Sequence, residues 1–536
     1  MSDQDVPASV QLIGGELPTW SDFDSPWPVP HPGAQFPVVA EALAGRNRVL
    51  LAGPHGPELV GAVLSIGLSS DTDVTCLVRS IPDAKTLAER FDGQKVTVVC
   101  GSLERFKDGT FDAVVALDDV RRLYSPEGPE PTFATGTTDL RRLLASDGVL
   151  VLAVENELGA HRLSAKTQPE TDHTTPAWDK PSSADETRPQ SAGELLAVVG
   201  APAAWPLYPT LTSPTVAWGP AAAVVDRNTY AGVLAALSAR ASEVLEHRPM
   251  ARDPYLLLRR IWRAGRFEEL ASGWLVVAGA STPIVPSPDL IAHVADVAEP
   301  IRYVDGVPRY GGGQPLPSGA LVSDLLLQAV VAPDQQRLRA EIASYAAWLG
   351  TLAAPGHARA DQVVRTTDGA YAFLALAPEH GNAYTAEEQL VASIAVLVDQ
   401  TERHGYRRTW PSYLTAPEAV AWVAAMRGAP VDQAVLDRLT AGLVATTATA
   451  EVGVRQREES NASRARWFEG KLATAEKQLE PLRKEITKLK AEVATAKAQK
   501  AKVEKDLKAL RNSRTVRIGR IVGAPARKLR KALRGK

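Results

Sequence analysis

Apolar and polar positions alternate along this chain in two rhythms, and the change of rhythm divides it. Between residues 46 and 154 five short apolar runs recur: Arg48–Ala52, Val74–Val78, Val96–Cys100, Phe111–Leu117 and Val149–Val154. Most are followed by a turn and then by apolar residues at helical spacing, as in Leu59, Val60, Val63 and Leu64. Helices are expected over Asp83–Phe91 and Thr138–Ala145. Apolar runs of strand length alternating with amphipathic helices predict an α/β domain with a doubly wound parallel sheet. In such a sheet the ligand cleft lies at the carboxyl ends of the strands.

Flanking this pattern, residues 1–45 carry Pro and the aromatics Trp20, Phe23, Trp27 and Phe36 with no helical period, and are read as an extended arm. The α/β domain is placed at 46–220. Within it, the polar stretch 160–190 reads as a long loop, followed by a helix at Ala192–Val199 and strands near Ala204–Tyr208 and Thr215–Trp218. A connecting helix is expected within 221–249, over Ala231–His247. Residues 250–454 form a second, mixed or mainly helical accessory domain, with helices over Tyr255–Arg263, Leu321–Ala332, Arg337–Leu352, Glu387–His404 and Pro417–Met426.

Beyond residue 454 the period becomes seven. Leu479, Ile486, Val493, Lys500 and Leu507 occupy one seam position, and Ala475, Leu482, Leu489, Ala496, Val503 and Leu510 the other. A heptad sustained this long predicts a coiled coil over 455–512 and a homodimer, with β-branched residues and Leu in the pattern of a parallel pair. From Leu472 to Leu510 the rod would span roughly 58 Å at about 1.5 Å per residue, with Pro481 kinking it near its start.

Composition adds little until it is divided. With 45% hydrophobic and 23% charged residues, the 536-residue chain is neither disordered, collagen-like nor a disulfide scaffold. Its net charge of −2 hides a split. Residues 455–536 hold 25 Lys+Arg against 9 Asp+Glu, and the remainder holds 35 against 53. Arg511–Lys536 alone has ten basic residues and no acid, interspersed with Val516, Ile518, Ile521, Val522, Leu529 and Leu533. A basic amphipathic segment of this kind suits an anionic membrane surface. Nucleic acid suits it less, because no aromatic residue follows Phe468 to stack on bases. The chain begins without a basic and apolar leader and has no apolar run long enough to span a bilayer. Its two cysteines, Cys76 and Cys100, fall in apolar strands. A cytoplasmic protein, peripheral at the inner face of the membrane, is the expectation.

Three segments carry a resemblance. The strand and turn Val49-Leu50-Leu51-Ala52-Gly53-Pro54-His55-Gly56-Pro57, the strand Phe111–Leu117 and the stretch Leu143–Leu152 together resemble class I S-adenosylmethionine-dependent methyltransferases. Glu155-Asn156-Glu157-Leu158-Gly159, with Asp172-His173 downstream, is similar to methyltransferase-like proteins of bacterial surface-polysaccharide clusters. The resemblance covers about residues 46–220. It implies S-adenosylmethionine as cofactor, with Gly53, His55, Gly56, Arg79, Ser102 and Asp118 around it. It also implies a glycan or lipid-linked glycan acceptor, with Glu155, Asp172 or His173 as general base and Asp119 lining the cleft. The departures are specific. Leu51 stands where the first strand carries an acid, and His55 and Pro57 where glycines are usual. The second strand ends in Val78-Arg79 where an acid meets the ribose, and the third in Gly101-Ser102 where an acid lies near the adenine.

Two functions therefore stay open: methyl transfer to a glycan, or a catalytically inactive scaffold for glycan-synthesis enzymes. Each residue also has a plain structural role open to it. Glu155 and Asn156 can cap the turn after the fifth strand, Asp118 and Asp119 can start a helix, His55 can be a turn residue and His173 a solvated one. No metal-ligand spacing occurs. Two weaker likenesses lie outside the domain. His357–Asp361 and Thr367–Leu374 are similar to the catalytic loop and strand pair of small-molecule kinases, without the magnesium ligands such chemistry needs; Asp368-Gly369 reads equally as a hairpin turn. Leu510–Arg520 looks like the ends of bacterial cell-surface glycosyltransferases, which implies a place beside such enzymes.

Overall fold

The computed structural model describes residues 7–25, 28–66, 72–107, 109–125, 128, 131–163, 185–222, 225–243, 245, 253–279, 290–292, 301–310, 313–374, 383–404, 406–411, 413–441 and 486–512. They belong to two units, residues 1–441 and 442–536.

The first unit is built on a nine-stranded sheet. Its strands are β1 (Val10–Gly14), β2 (Arg48–Ala52), β3 (Asp73–Val78), β4 (Val96–Gly101), β5 (Phe111–Ala116), β6 (Leu144–Glu155), β7 (Ala204–Tyr208), β8 (Val216–Ala217) and β9 (Gly273–Gly279). The spatial order is β1-β4-β3-β2-β5-β6-β9-β7-β8. The first six in that order run parallel, and β9 lies antiparallel between β6 and β7. Successive side chains point to opposite faces, and both faces are covered. Leu50, Leu77, Val99, Val114, Leu150 and Val276 enter one core. Val49, Leu51, Cys76, Val98, Val115, Val151 and Leu275 enter the other. Burial on both sides is why these strands read as continuous apolar runs. Both thiols are buried and free, and burial pushes Cys76 up to about 12 and Cys100 up as well.

The helices that cover the sheet start at sequence-coded caps. Ser80 accepts from the Asp83 N–H at the start of Ile81–Arg90, Thr132 from Thr135 before Phe133–Arg142, and Ser191 from Glu194 before Ala192–Val199.

Two expectations about organisation differ from the structure. The arm at 1–45 is not wholly extended: β1 joins the sheet edge beside β4, and Phe36–Leu43 is a helix. The boundary between 46–220 and 250–454 does not divide the sheet, because β9 comes from beyond residue 250 and sits inside it. Nor is Ala231–Glu243 merely a connection, since Val233, Leu234, Leu237 and Ala241 are buried in the first core.

The rest of the first unit is mainly helical. It includes two three-stranded sheets, β10 (Leu290–Ala292), β11 (Ile301–Val304) and β12 (Val307–Tyr310), then β13 (Ala320–Leu321), β14 (Val363–Arg365) and β15 (Tyr371–Phe373). Helices Val322–Val331 and Gln335–Leu349 pack on the latter, Ala386–Arg403 packs on these two helices, and Ala416–Ala424 packs on Ala386–Arg403. Asp324 accepts from Tyr255 Oη (2.9 Å) and Arg259 Nη2 (2.6 Å), joining Pro254–Arg263 to this part. Asp368-Gly369 is a hairpin turn, with Gly369 at φ +87°. His357 is exposed in a short 3-10 turn, and Arg359 pairs with Asp361 at the surface.

In the second unit, residues 486–512 form one helix. The expected coil at 455–485 and tail at 513–536 lie outside the described residues. Among the described residues no helix is long and apolar enough to cross a membrane.

Candidate functional site

In a doubly wound sheet the crevice opens where the strand order reverses, here between the carboxyl ends of β2 and β5. The residues expected around a cofactor do converge on this edge. Gly53 follows β2 at φ +115°, a conformation that glycine adopts without strain. It makes the tight turn that brings His55 back over the sheet, with the His55 N–H donating to Gly53 O at 2.7 Å.

His55 then crosses the crevice. Its Nε2 accepts from the Leu117 N–H at 3.1 Å, and the ring is fully buried. Burial, aided by the nearby Arg122 charge, lowers His55 to about 3, so the ring is neutral. With Nε2 accepting, the ring proton sits on Nδ1, which is buried and has no hydrogen-bond partner among the described residues.

The next strand end is occupied by the arm. Arg79, just after β3, makes a two-point pair with Asp22: Nε to Oδ2 at 2.8 Å and Nη2 to Oδ1 at 2.9 Å. Both side chains are only 2% exposed. Burial opposes the charge on Asp22, but the guanidinium outweighs it and holds the carboxyl below its usual range. Arg122 Nη1 lies 4.0 Å from the same carboxylate. Arg122 also donates to both oxygens of Asp118, at 2.5 and 2.6 Å, and to Pro28 O at 2.8 Å. Arg79, Asp22, Arg122 and Asp118 thus form a buried chain of alternating charge across the crevice.

Backbone bonds hold the arm in place. The Leu17 N–H donates to Arg79 O, and Ile81 N–H to Leu17 O. Ser21 Oγ and the Asp22 N–H both donate to Asp83. Farther along, His31 and Ala34 N–H donate to Thr212 O and Pro214 O. Asp83 is pushed up to about 6 by burial and by Asp22. Ser102 is buried against Gly14 and Ser125 and pairs with Glu104. Gly56 caps helix Pro57–Ser65 at an ordinary φ of −67°, with Val29 of the arm over it.

A second cluster surrounds the end of β6. Glu155 accepts from Arg162 (2.7 Å), His161 Nε2 (2.9 Å) and Arg121 (3.1 Å). Burial opposes its charge, yet His161, Arg162 and Arg121 prevail and hold it down to about 2. A carboxylate held that low is a poor proton acceptor at neutral pH, which counts against Glu155 among the three candidate bases. Asp119, at φ +61°, accepts from the Glu155 and Val120 N–H groups and pairs with buried Arg188. It starts no long helix. Asn156 donates from Nδ2 to Glu269 O and Ala271 O and accepts from the Leu158 N–H. Gly159 passes so close to Ala271 O that a Cβ there would stand 2.5 Å from it. The Glu-Asn-Glu-Leu-Gly motif therefore clamps the approach to β9. Asp172 and His173 lie outside the described residues.

The side chains missed in the sequence are Asp22, Arg122, His161 and Arg188. One signal was available: Arg79 ends a buried strand, and a buried guanidinium requires a nearby acid. Among the described residues no group of three or more His, Cys, Asp or Glu side chains could hold a metal ion.

No family profile matches the chain, and no curated protein does. Solved structures similar to it include those of methyltransferases. A putative methyltransferase from Bacillus halodurans is 21% identical over 22% of this chain and 49% of its own, with a TM-score of 0.18. The CcbJ methyltransferase from Streptomyces caelestis is 18% identical over 28% and 59%, with a TM-score of 0.21. A TehB-like SAM-dependent methyltransferase from Corynebacterium glutamicum is 20% identical over 22% and 61%, with a TM-score of 0.18. The match thus spans about half to three-fifths of those proteins. Each likeness is one of fold, over a fraction of both chains.

At the positions where the resemblance implies acids for the ammonium and hydroxyl groups of S-adenosylmethionine, this crevice holds Leu51, Arg79 and Ser102. Arg79, His55 and Asp118 are already committed to partners within the chain.

Proposed function

We propose that the α/β part of this chain is a methyltransferase-like body that works as a scaffold, its switch-point crevice closed by its own N-terminal segment. The observation that carries this is the buried two-point pair of Arg79 with Asp22. A ligand entering there has to separate two desolvated charges, and breaking such a pair costs about 3–5 kcal/mol. Calorimetric titration with S-adenosylmethionine and S-adenosylhomocysteine tests it. No heat and no rise in melting temperature at millimolar ligand is the expected result; a micromolar Kd overturns it. Binding would return the second reading, methyl transfer to a glycan, which the retained left-handed turn at Gly53 favours.

The setting of such a scaffold is bacterial surface-polysaccharide synthesis at the cytoplasmic membrane face, beside lipid-linked glycans and glycosyltransferases. Its support is the ten basic residues of Arg511–Lys536 and the likeness of Leu510–Arg520 to glycosyltransferase ends. Flotation on anionic liposomes of the full chain, and of one ending at Leu510, separates the outcomes. Equal flotation of both removes the membrane.

A further inference from the structure

Helix 486–512 presents a row of exposed apolar residues. Ile486, Leu489, Val493, Val503, Leu507 and Leu510 are each 50–65% exposed. With Ala496 and Lys500 between Val493 and Val503, the spacing alternates between three and four, which keeps them in one seam. Ile486, Val493, Lys500 and Leu507 take the first core position of each heptad, and Leu489, Ala496, Val503 and Leu510 the second.

What the seam accepts is written in the residues beside it. The position just before each first core residue holds Glu492, Gln499 and Asp506, with Glu485 one heptad earlier. The position just after each second core residue holds Lys490, Lys497, Glu504 and Arg511. In a parallel, in-register pair each of the former faces the latter five residues later on the other chain. That sets Glu492 against Lys497 and Asp506 against Arg511, each twice by symmetry. Gln499 meets Glu504 without repulsion. An antiparallel pair over the same length instead sets Glu492 opposite Asp506 and Lys490 opposite Arg511, and gains only Lys497 with Glu504. The exception, acidic Glu504, has its own role: it lies 4.0 Å from the Lys500 ammonium one turn away and draws that charge out of the seam.

We propose that helix 486–512 binds a second copy of this chain, parallel and in register. The flanking charges are self-complementary, as a two-fold interface between identical chains requires. The parallel arrangement also sets both Arg511 residues at the same end of the coil. A single basic amphipathic anchor is weak and two act with avidity, so membrane capture would depend on dimerisation.

The test uses the full chain. Sedimentation equilibrium is expected to give twice the 57.3 kDa chain mass; a single-chain mass overturns the proposal. Leu489→Cys, with Cys76 and Cys100 buried, is expected to form an intermolecular disulfide under mild oxidation. If it links only when mixed with Leu510→Cys chains, the pair is antiparallel and the proposal fails. Charge reversal then reads the partner. Glu492→Lys and Lys497→Glu chains should each dimerise about fivefold more weakly, and a mixture of the two should recover. Unchanged dimerisation of both single variants overturns the charge argument. Val493→Asp/Val503→Asp is expected to sediment as a single chain while near-ultraviolet dichroism of the first unit stays intact.

Discussion

Replacing Asp22 by Asn keeps the shape of the arm and removes one charge. Arg79 then keeps a full positive charge in a place where its side chain is 2% exposed. Arg122, 4.0 Å from the same carboxylate, loses part of its compensation too. Leaving a buried charge without its partner costs about 3–5 kcal/mol. That cost falls on the closed arm, since the opened arm returns Arg79 to water. The opening constant should therefore rise by about two to three and a half powers of ten, at 1.4 kcal/mol per tenfold. Amide hydrogen exchange reads this directly. The Leu17 and Asp22 N–H groups donate to Arg79 O and Asp83, not to the substituted carboxylate. Faster exchange there reports opening of the arm. The His31 and Ala34 amides, bound to Thr212 and Pro214 at the far end, provide the internal control. Asp22→Leu with Arg79→Met should restore most of the protection, because well-packed apolar replacements of buried pairs are often neutral or stabilising. Protection at Leu17 and Asp22 unchanged within threefold in Asp22→Asn would refute the reasoning, for the pair would then be solvated and the crevice not closed by it.

Three further outcomes follow from the same geometry. His55 is lowered from 6.5 to about 3, so acid protonates the unfolded chain first and stability falls by about 1.4 kcal/mol for each pH unit below 6.5; urea titrations at pH 7.5 and 5.5 should show this slope in the wild type and lose it in His55→Gln. Glu155 is lowered from 4.5 to about 2, so its contribution of about 3 kcal/mol is present above pH 4.5 and lost as pH falls toward 2; Glu155→Gln should remove it at pH 7, read as a lower urea midpoint. Gly159→Ala puts a Cβ 2.5 Å from Ala271 O, backbone that cannot turn aside, and should cost about 1–3 kcal/mol; an unchanged melting temperature would show that the clamp on β9 is loose.

The parallel strands were legible because burial on both faces leaves an unbroken apolar run. β2 spans Arg48–Ala52 as expected, and the observed limits of β3, β4 and β5 differ from the expected ones by a residue. Helix Ala192–Val199 was legible from its cap and period. What was not legible is long-range. β9 is an apolar run of strand length at Gly273–Gly279, but nothing local says that it inserts between β6 and β7. The same holds for the site. His55, Arg79 and Asp118 stand out in the sequence as departures or acids at strand ends, whereas their partners Leu117 and Asp22 lie 62 and 57 residues away from His55 and Arg79. A list of side chains does not say which of them are already spoken for. Glu155 stands out in the sequence as an acid beside a strand end, and the cations around it, Arg121, His161 and Arg162 from two segments, hold it ionised.

The place of β9 has a consequence for how the protein is made. β6 ends at Glu155, and the strand that covers its open edge ends at Gly279. At about 5–20 residues per second, the ribosome needs roughly 6–25 s to supply it. Throughout that interval a nascent sheet exposes the unpaired edge of its longest strand, and unpaired edges are templates for joining other chains. Sheet completion is thus tied to the arrival of a distant strand, and this chain should lean on chaperones during synthesis more than a protein whose strands arrive in the order in which they pair.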